Sequence, residues 1–131
     1  MWTWCFPQTF VGYLMYLSMR KCPREKYHGA LVTTHAHGWG GVSFGMFTFI
    51  CTRGTPETRS MMRAHEFGHC VQSLMLGPLY LPLISLPSAV WCNSKRCKEY
   101  RKKNHISYYD FWTERWANSL AERFTGDRVM K

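Results

Sequence analysis

The sequence predicts an α+β fold, and three observations carry that prediction. Residues 28–37 (HGALVTTHAH) and 42–51 (VSFGMFTFIC) are β-branched or aromatic runs bounded by glycine. Pro56–Leu76 has helical periodicity between a start and a stop signal, and residues 110–124 repeat that periodicity near the C-terminal end. Strands followed by helices, without regular alternation, point to α+β rather than to a parallel α/β array.

The first element expected is a short apolar helix over residues 8–19 (QTFVGYLMYLSM), ended by the basic region around Cys22 and Pro23. Residues 28–37 read as a strand, Gly38-Trp39-Gly40-Gly41 as a turn, and 42–51 as the strongest strand in the chain. Together they predict an antiparallel hairpin. Thr55 is placed to cap the next helix, Pro56 suits its first position, and Glu57 complements its dipole. Gly77-Pro78 ends it. Residues 78–93 (PLYLPLISLPSAVWCN) read as a proline-punctuated apolar connection. A last helix over 110–124 has Phe111, Ala117, Leu120, Ala121 and Phe124 available for burial, with Asp110 or Ser107 as its cap. No repeat or linker divides residues 1–131, so one domain is expected.

The helix Pro56–Leu76 contains the most informative residues: His65-Glu66-Phe67-Gly68-His69, an H-E-x-x-H motif. Residues four apart lie one above the other on a helix, so both imidazoles can reach one metal ion. Glu66 then stands beside the position of a metal-activated water, which is the arrangement of a zinc hydrolase. The metal face is expected to hold Met62, His65, His69, Gln72 and Leu76, with Met61, Ala64, Gly68, Val71 and Met75 as a packing stripe beside it. Gly68 costs about 0.8–1.0 kcal/mol of helix propensity relative to alanine, which a close-packed neighbour would explain.

Such a site needs a third ligand. Glu114 is the best candidate, because Asn118 follows it at i+4. On a helix, the carboxylate can bind metal while the amide orients a ligating histidine. Ala117, small and between them, allows close approach. His105, Asp110 and the pair His35/His37 are the alternatives. Tyr108, Tyr109 and His105 are candidate donors to a developing oxyanion.

The pattern His65-Glu66-x-x-His69 followed by Glu114-x-x-Ala117-Asn118 resembles the gluzincin branch of zinc metallopeptidases. The stretches HEFGHCVQSLMLGPLYLPLISLPSAVW and YYDFWTERWAN are similar to those of small, largely uncharacterised bacterial proteins with a zincin-like core, over roughly residues 42–121. The resemblance implies a minimal zincin-like domain. It implies Zn2+ at His65, His69 and Glu114, with Glu66 as general base and then acid, and a peptide or protein as substrate. It also implies that the strand over 42–51 borders the cleft. Asn118 stands where many gluzincins have aspartate, so it contributes no charge to the histidine it orients. The chain also has little room for the second subdomain of larger peptidases.

The formal charge is +9, from 17 Lys and Arg against 8 Asp and Glu. Lys95, Arg96, Lys98, Arg101, Lys102 and Lys103 concentrate it, with only Glu99 opposing. A solvated segment is the plain reading. An anionic membrane surface is a second, and nucleic acid is disfavoured because no recognition motif accompanies the run. Residues 1–19 and 67–94 contain no Asp, Glu, Lys or Arg. Pro7, Gly12, Gly77, Pro78, Pro82 and Pro87 break them, so both suit a core or an interfacial surface better than a membrane span. A docked, non-catalytic zinc module is therefore the competing expectation. No convincing secretory signal precedes the six cysteines, which predicts a cytoplasmic chain with reduced thiols packed as small apolar groups.

Overall fold

A computed structural model describes residues 6–35, 41–51, 55–127 and 129. The fold is α+β: the described residues form five α-helices and a four-stranded mixed sheet. Helix α1 (Phe6–Ser18) is followed by strands β1 (Arg24–Tyr27), β2 (Ala30–His35), β3 (Val42–Phe44) and β4 (Phe47–Cys51). Helices α2 (Pro56–Leu76), α3 (Leu86–Asn93), α4 (Lys95–Asn104) and α5 (Trp112–Thr125) complete it.

The sheet corrects the expected hairpin. Its order is β1-β2-β4-β3, and the two long inner strands β2 and β4 run parallel, from Leu31↔Phe47 to His35↔Cys51. Each is the inner member of its own antiparallel hairpin. The first hairpin turns at His28 and Gly29, both with positive φ (47° and 90°). The second turns at Gly45 (φ 63°), which splits the run 42–51 in two. Two-residue turns of this kind match the twist of the strands they join. Strand β1 escapes the apolar pattern because Arg24, Glu25 and Lys26 are exposed on the sheet edge and only Tyr27 turns inward. The expected turn residues 38–40, and His37, lie outside the described residues.

Thr48 and Ile50 face α2, while Phe47 meets Tyr13 and Tyr16 of α1 from the other side. The sheet therefore lies between α1 and α2. Helix α2 begins as expected: Thr55 Oγ1 accepts from Thr58 N (3.1 Å), Pro56 fills the first turn, and Gly77 closes the end. Its centre, from Ala64 to Cys70, is buried on every side because α5 covers the face turned away from the sheet. Met75 is exposed rather than part of a packing stripe, and Phe124 is exposed rather than buried, since α5 outruns the core after Ala121.

The apolar connection 78–93 is helical. A 3-10 turn (Gly77–Leu79), a π turn (Leu81–Ser85) and α3 follow one another, and each proline sits in a first turn, where its missing N–H costs nothing. The basic run forms α4, with no buried residue. Helix α5 starts two residues later than expected. Ser107 and Asp110 instead form a reciprocal capping box on the 3-10 turn Tyr108–Asp110, and α5 has no side-chain cap. No single helix among the described residues is long and apolar enough to cross a membrane. Of the described thiols, those of Cys22, Cys70, Cys92 and Cys97 are free. Only Cys70 is buried, so packing as small apolar groups holds for one of these four.

The α2–α5 crossing is close. A Cβ on Gly68 would overlap the backbone carbonyl of Ala117. Gly68→Ala should therefore destabilise the fold by about 1–3 kcal/mol, despite its better helix propensity. Chemical denaturation measures this; a stabilised variant would show that the crossing relaxes freely.

Candidate metal centre

The close crossing brings α5 residues onto the motif of α2. His65 and His69 lie one turn apart, with ring centroids 5.0 Å apart. Their Nε2 atoms are 2.8 Å and 3.1 Å from the same atom, Glu114 Oε2. Their Nδ1 atoms meet amide oxygens: Asn118 Oδ1 at 2.5 Å from His65, and Gln72 Oε1 at 2.7 Å from His69. An amide oxygen only accepts, so each Nδ1 carries hydrogen and Nε2 is the atom turned inward. Gln72 is held in turn by donating to the Thr113 carbonyl (3.0 Å). Thr113 Oγ1 donates to the other oxygen of Glu114 (3.4 Å) and contacts Ser88 Oγ at 2.8 Å.

Glu66 occupies the neighbouring face of α2. Ser43 Oγ of β3 lies 2.8 Å from the Glu66 backbone oxygen and 3.1 Å from its Oε2. A Cβ on Gly41 would come within 2.5 Å of Glu66 Oε1, so the chain entering β3 passes close against this carboxylate. Tyr80 donates to the Ser43 carbonyl (3.1 Å), fixing that strand from the far side.

His65, Glu66 and His69 are buried, and one donor atom from each lies within 4.8 Å of the others; the group could hold a metal ion. Glu114 is fully buried beside them. Nitrogen and oxygen ligands about 2.0–2.1 Å from a tetrahedral ion stand about 3.3 Å apart. The Nε2–Oε2 separations of 2.8 Å and 3.1 Å fall short of that by a few tenths of an ångström, so each imidazole would need to spread only slightly from Glu114 to share such an ion with it.

Charge accounts for the rest of the geometry. Burial alone would push His69 down, but the Glu114 carboxylate outweighs it and lifts His69 to about 9. Glu114 is held far below the usual carboxylate range because His69 and His65 outweigh its burial. Burial pushes Glu66 up, against partial compensation from His69 and His65. Charges buried this deeply are costly to desolvate even when paired, and a bound cation would offset the repulsion between the Glu66 and Glu114 carboxylates.

A cleft of about 460 Å³ opens onto Glu66, His69 and Glu114. Residues 41–44 wall it on one side; Ser85, Ser88, Ala89 and Cys92 wall it on the other. Of the two tyrosines before α5, Tyr108 lines this cleft, while the Tyr109 ring packs edge-on against His65 (4.9 Å between centroids). Glu114 and Asn118 are thus the α5 residues brought to the imidazoles. His105 is exposed in a left-handed cap of α4, Asp110 is engaged in its capping box, and His35 is buried at the end of β2. Sequence reasoning missed Ser43 and Gly41. A hydroxyl in an otherwise apolar strand was the available signal for the first.

No protein-family model, curated protein or solved structure matches the chain.

The pair His69–Glu114 makes stability depend on pH in chelator-treated protein. Folded His69 titrates near 9 against an ordinary 6.5, so its contribution is complete below pH 6.5 and lost as pH rises through 9. Glu114, lowered from 4.5, contributes above that value and loses its contribution as pH falls far into acid. Thermal melts should therefore show a falling midpoint from pH 7 to 10, and Glu114→Gln should flatten that fall. An unchanged midpoint in the parent protein would contradict the pairing.

Proposed function

We propose that the protein is a minimal zinc-dependent metallopeptidase, with His65, His69 and Glu114 as zinc ligands and Glu66 as general base and acid. The observation that carries this reading is the cleft that opens onto the cluster. Structural zinc sites are closed by four protein ligands, whereas catalytic ones keep a position for water and substrate. Two imidazoles and one carboxylate are a borderline-soft donor set suited to zinc. A non-catalytic zinc-stabilised module is the competing reading, but it leaves the cleft and the raised Glu66 carboxyl without a task.

Bound zinc would supply Lewis acidity, acidifying a water and polarising a substrate carbonyl. The chain's own residues do the rest. Asn118 and Gln72 hold the imidazoles in the tautomer that presents Nε2. Glu66 takes a proton from water as the hydroxyl adds to the carbonyl carbon. It returns that proton to the nitrogen as the C–N bond breaks. Its burial raises its proton affinity, which suits the return, and Ser43 fixes its orientation. Burial likewise raises Tyr108 far above the usual phenol range, so it remains a neutral donor for the oxyanion. The edge strand β3 lines the cleft, where an extended peptide would add as a further strand.

Elemental analysis and a peptide-substrate screen test this together. One zinc per chain is expected in the parent and in Glu66→Gln, with hydrolysis abolished in the variant. Glu114→Ala should lose most of its zinc. Hydrolysis surviving in Glu66→Gln, or a zinc-free parent after reconstitution, would sink the proposal. Tyr108→Phe should lower kcat by about 10²–10³-fold with KM nearly unchanged; a change confined to KM would make Tyr108 a binding residue only.

A further inference from the structure

Helix α1 is built inside out. It buries Gln8 (0% exposed) and Thr9 (1%), and leaves Gln8 Oε1 and Thr9 Oγ1 without a hydrogen-bond partner. Its exposed face is Phe6, Phe10, Val11, Tyr13, Leu14 and Leu17, with Leu14 half exposed (50%). A helix on the surface of a water-exposed domain shows the opposite pattern.

A second exposed apolar surface adjoins it. Gln8 Nε2 donates to Ser73 Oγ (2.9 Å) and to the Gly77 carbonyl (2.6 Å), tying α1 to the end of α2. From there Leu74, Met75, Leu79, Leu83, Leu86 and Val90 are all exposed; the chain bends by 120° after Leu79, and Leu83, Leu86 and Val90 follow at helical spacing beyond the bend. These twelve side chains lie within two stretches, residues 1–19 and 67–94, that contain no Asp, Glu, Lys or Arg. An exposed apolar surface on this scale is an interaction site.

Its margins identify the partner. Each uncharged stretch ends in a basic run: Arg20, Lys21, Arg24 and Lys26 after α1, and Lys95, Arg96 and Lys98 after α3. At each margin an arginine covers an aromatic ring, Arg24 over Tyr16 (3.6 Å to the centroid) and Arg101 over Trp91 (4.8 Å). Apolar side chains beside rings and cations are the ordering of a bilayer interface: acyl chains, then the glycerol and ester region, then the anionic phosphates of the headgroups. From this charge complementarity we infer that α1 and the segment 74–90 dock the protein on an anionic lipid bilayer, lying in its interface. Ser85 and Ala89 also wall the cleft, so docking would bring the cleft to the level of the headgroups. The surface stands independently of the metal proposal, and its test requires neither zinc nor hydrolysis.

Co-sedimentation of the full chain with vesicles tests the inference. Phosphatidylcholine vesicles containing roughly one third phosphatidylglycerol should bind the protein, and binding should weaken several-fold between low and high salt. Leu14→Glu with Leu83→Glu should reduce it at least tenfold, while circular dichroism and melting stay as in the parent, because both side chains are exposed. Lys95→Glu with Lys102→Glu should reduce it several-fold. Absence of binding at low salt overturns the inference, as does equal binding to pure phosphatidylcholine or full binding by the leucine variant. A dimer in sedimentation velocity that persists with vesicles and is lost in the leucine variant would assign the surface to a second copy instead.

Discussion

The close crossing of α2 and α5 at Gly68 and Ala117 is the constraint on which the site depends. Glu114 and Asn118 flank Ala117 at offsets of −3 and +1, so a fixed crossing point fixes both at once. One more methyl at Gly68 would lift the helix that carries the carboxylate. The separations of 2.8 Å and 3.1 Å between the imidazoles and Glu114 are therefore set by backbone contact rather than by side-chain reach. Close backbone packing is the rigid support that a constellation of this precision needs.

That rigidity has an electrostatic counterpart. Two carboxylates and two imidazoles share a space closed to bulk water on all sides except the cleft. Each charged group there depends on the others, which is why Glu114 and His69 shift in opposite directions while Glu66, touched mainly by burial, shifts upward. The neutral Asn118 adds orientation without adding a third negative charge. Gln72 does the same for His69, and its own amide is anchored to α5, so the two helices are joined above and below the imidazoles.

The parts legible in the sequence are those written in local spacing. His65, Glu66 and His69 follow from the helical repeat, the pairing of Glu114 with Asn118 from the same repeat, and the packing at Gly68 from its cost in a helix. The parts missed are long-range or inverted. Nothing in the apolar runs 28–37 and 42–51 distinguishes antiparallel from parallel pairing, because both bury the same residues; the difference lies in Gly45, a turn hidden inside a strand pattern. Ser43 and Gly41 reach Glu66 only through tertiary placement. The prolines at 78, 82 and 87 mislead by composition, since each falls where a helical turn accepts it.

The two outer strands of the sheet are unlike each other. Strand β1 presents Arg24, Glu25 and Lys26 to solvent, whereas β3 is Val42, Ser43 and Phe44 and carries no charge. Charges on an outer strand repel the backbone of another chain, and an uncharged outer strand invites it. Aggregation by strand addition is therefore blocked at one side of the sheet and left open at the other. On the open side a foreign segment must enter the cleft between β3 and α3 to pair. The protection against amyloid-like stacking there is steric: the far wall of the cleft stands over β3 and Tyr80 already occupies the Ser43 carbonyl, in place of the electrostatic guard that β1 carries.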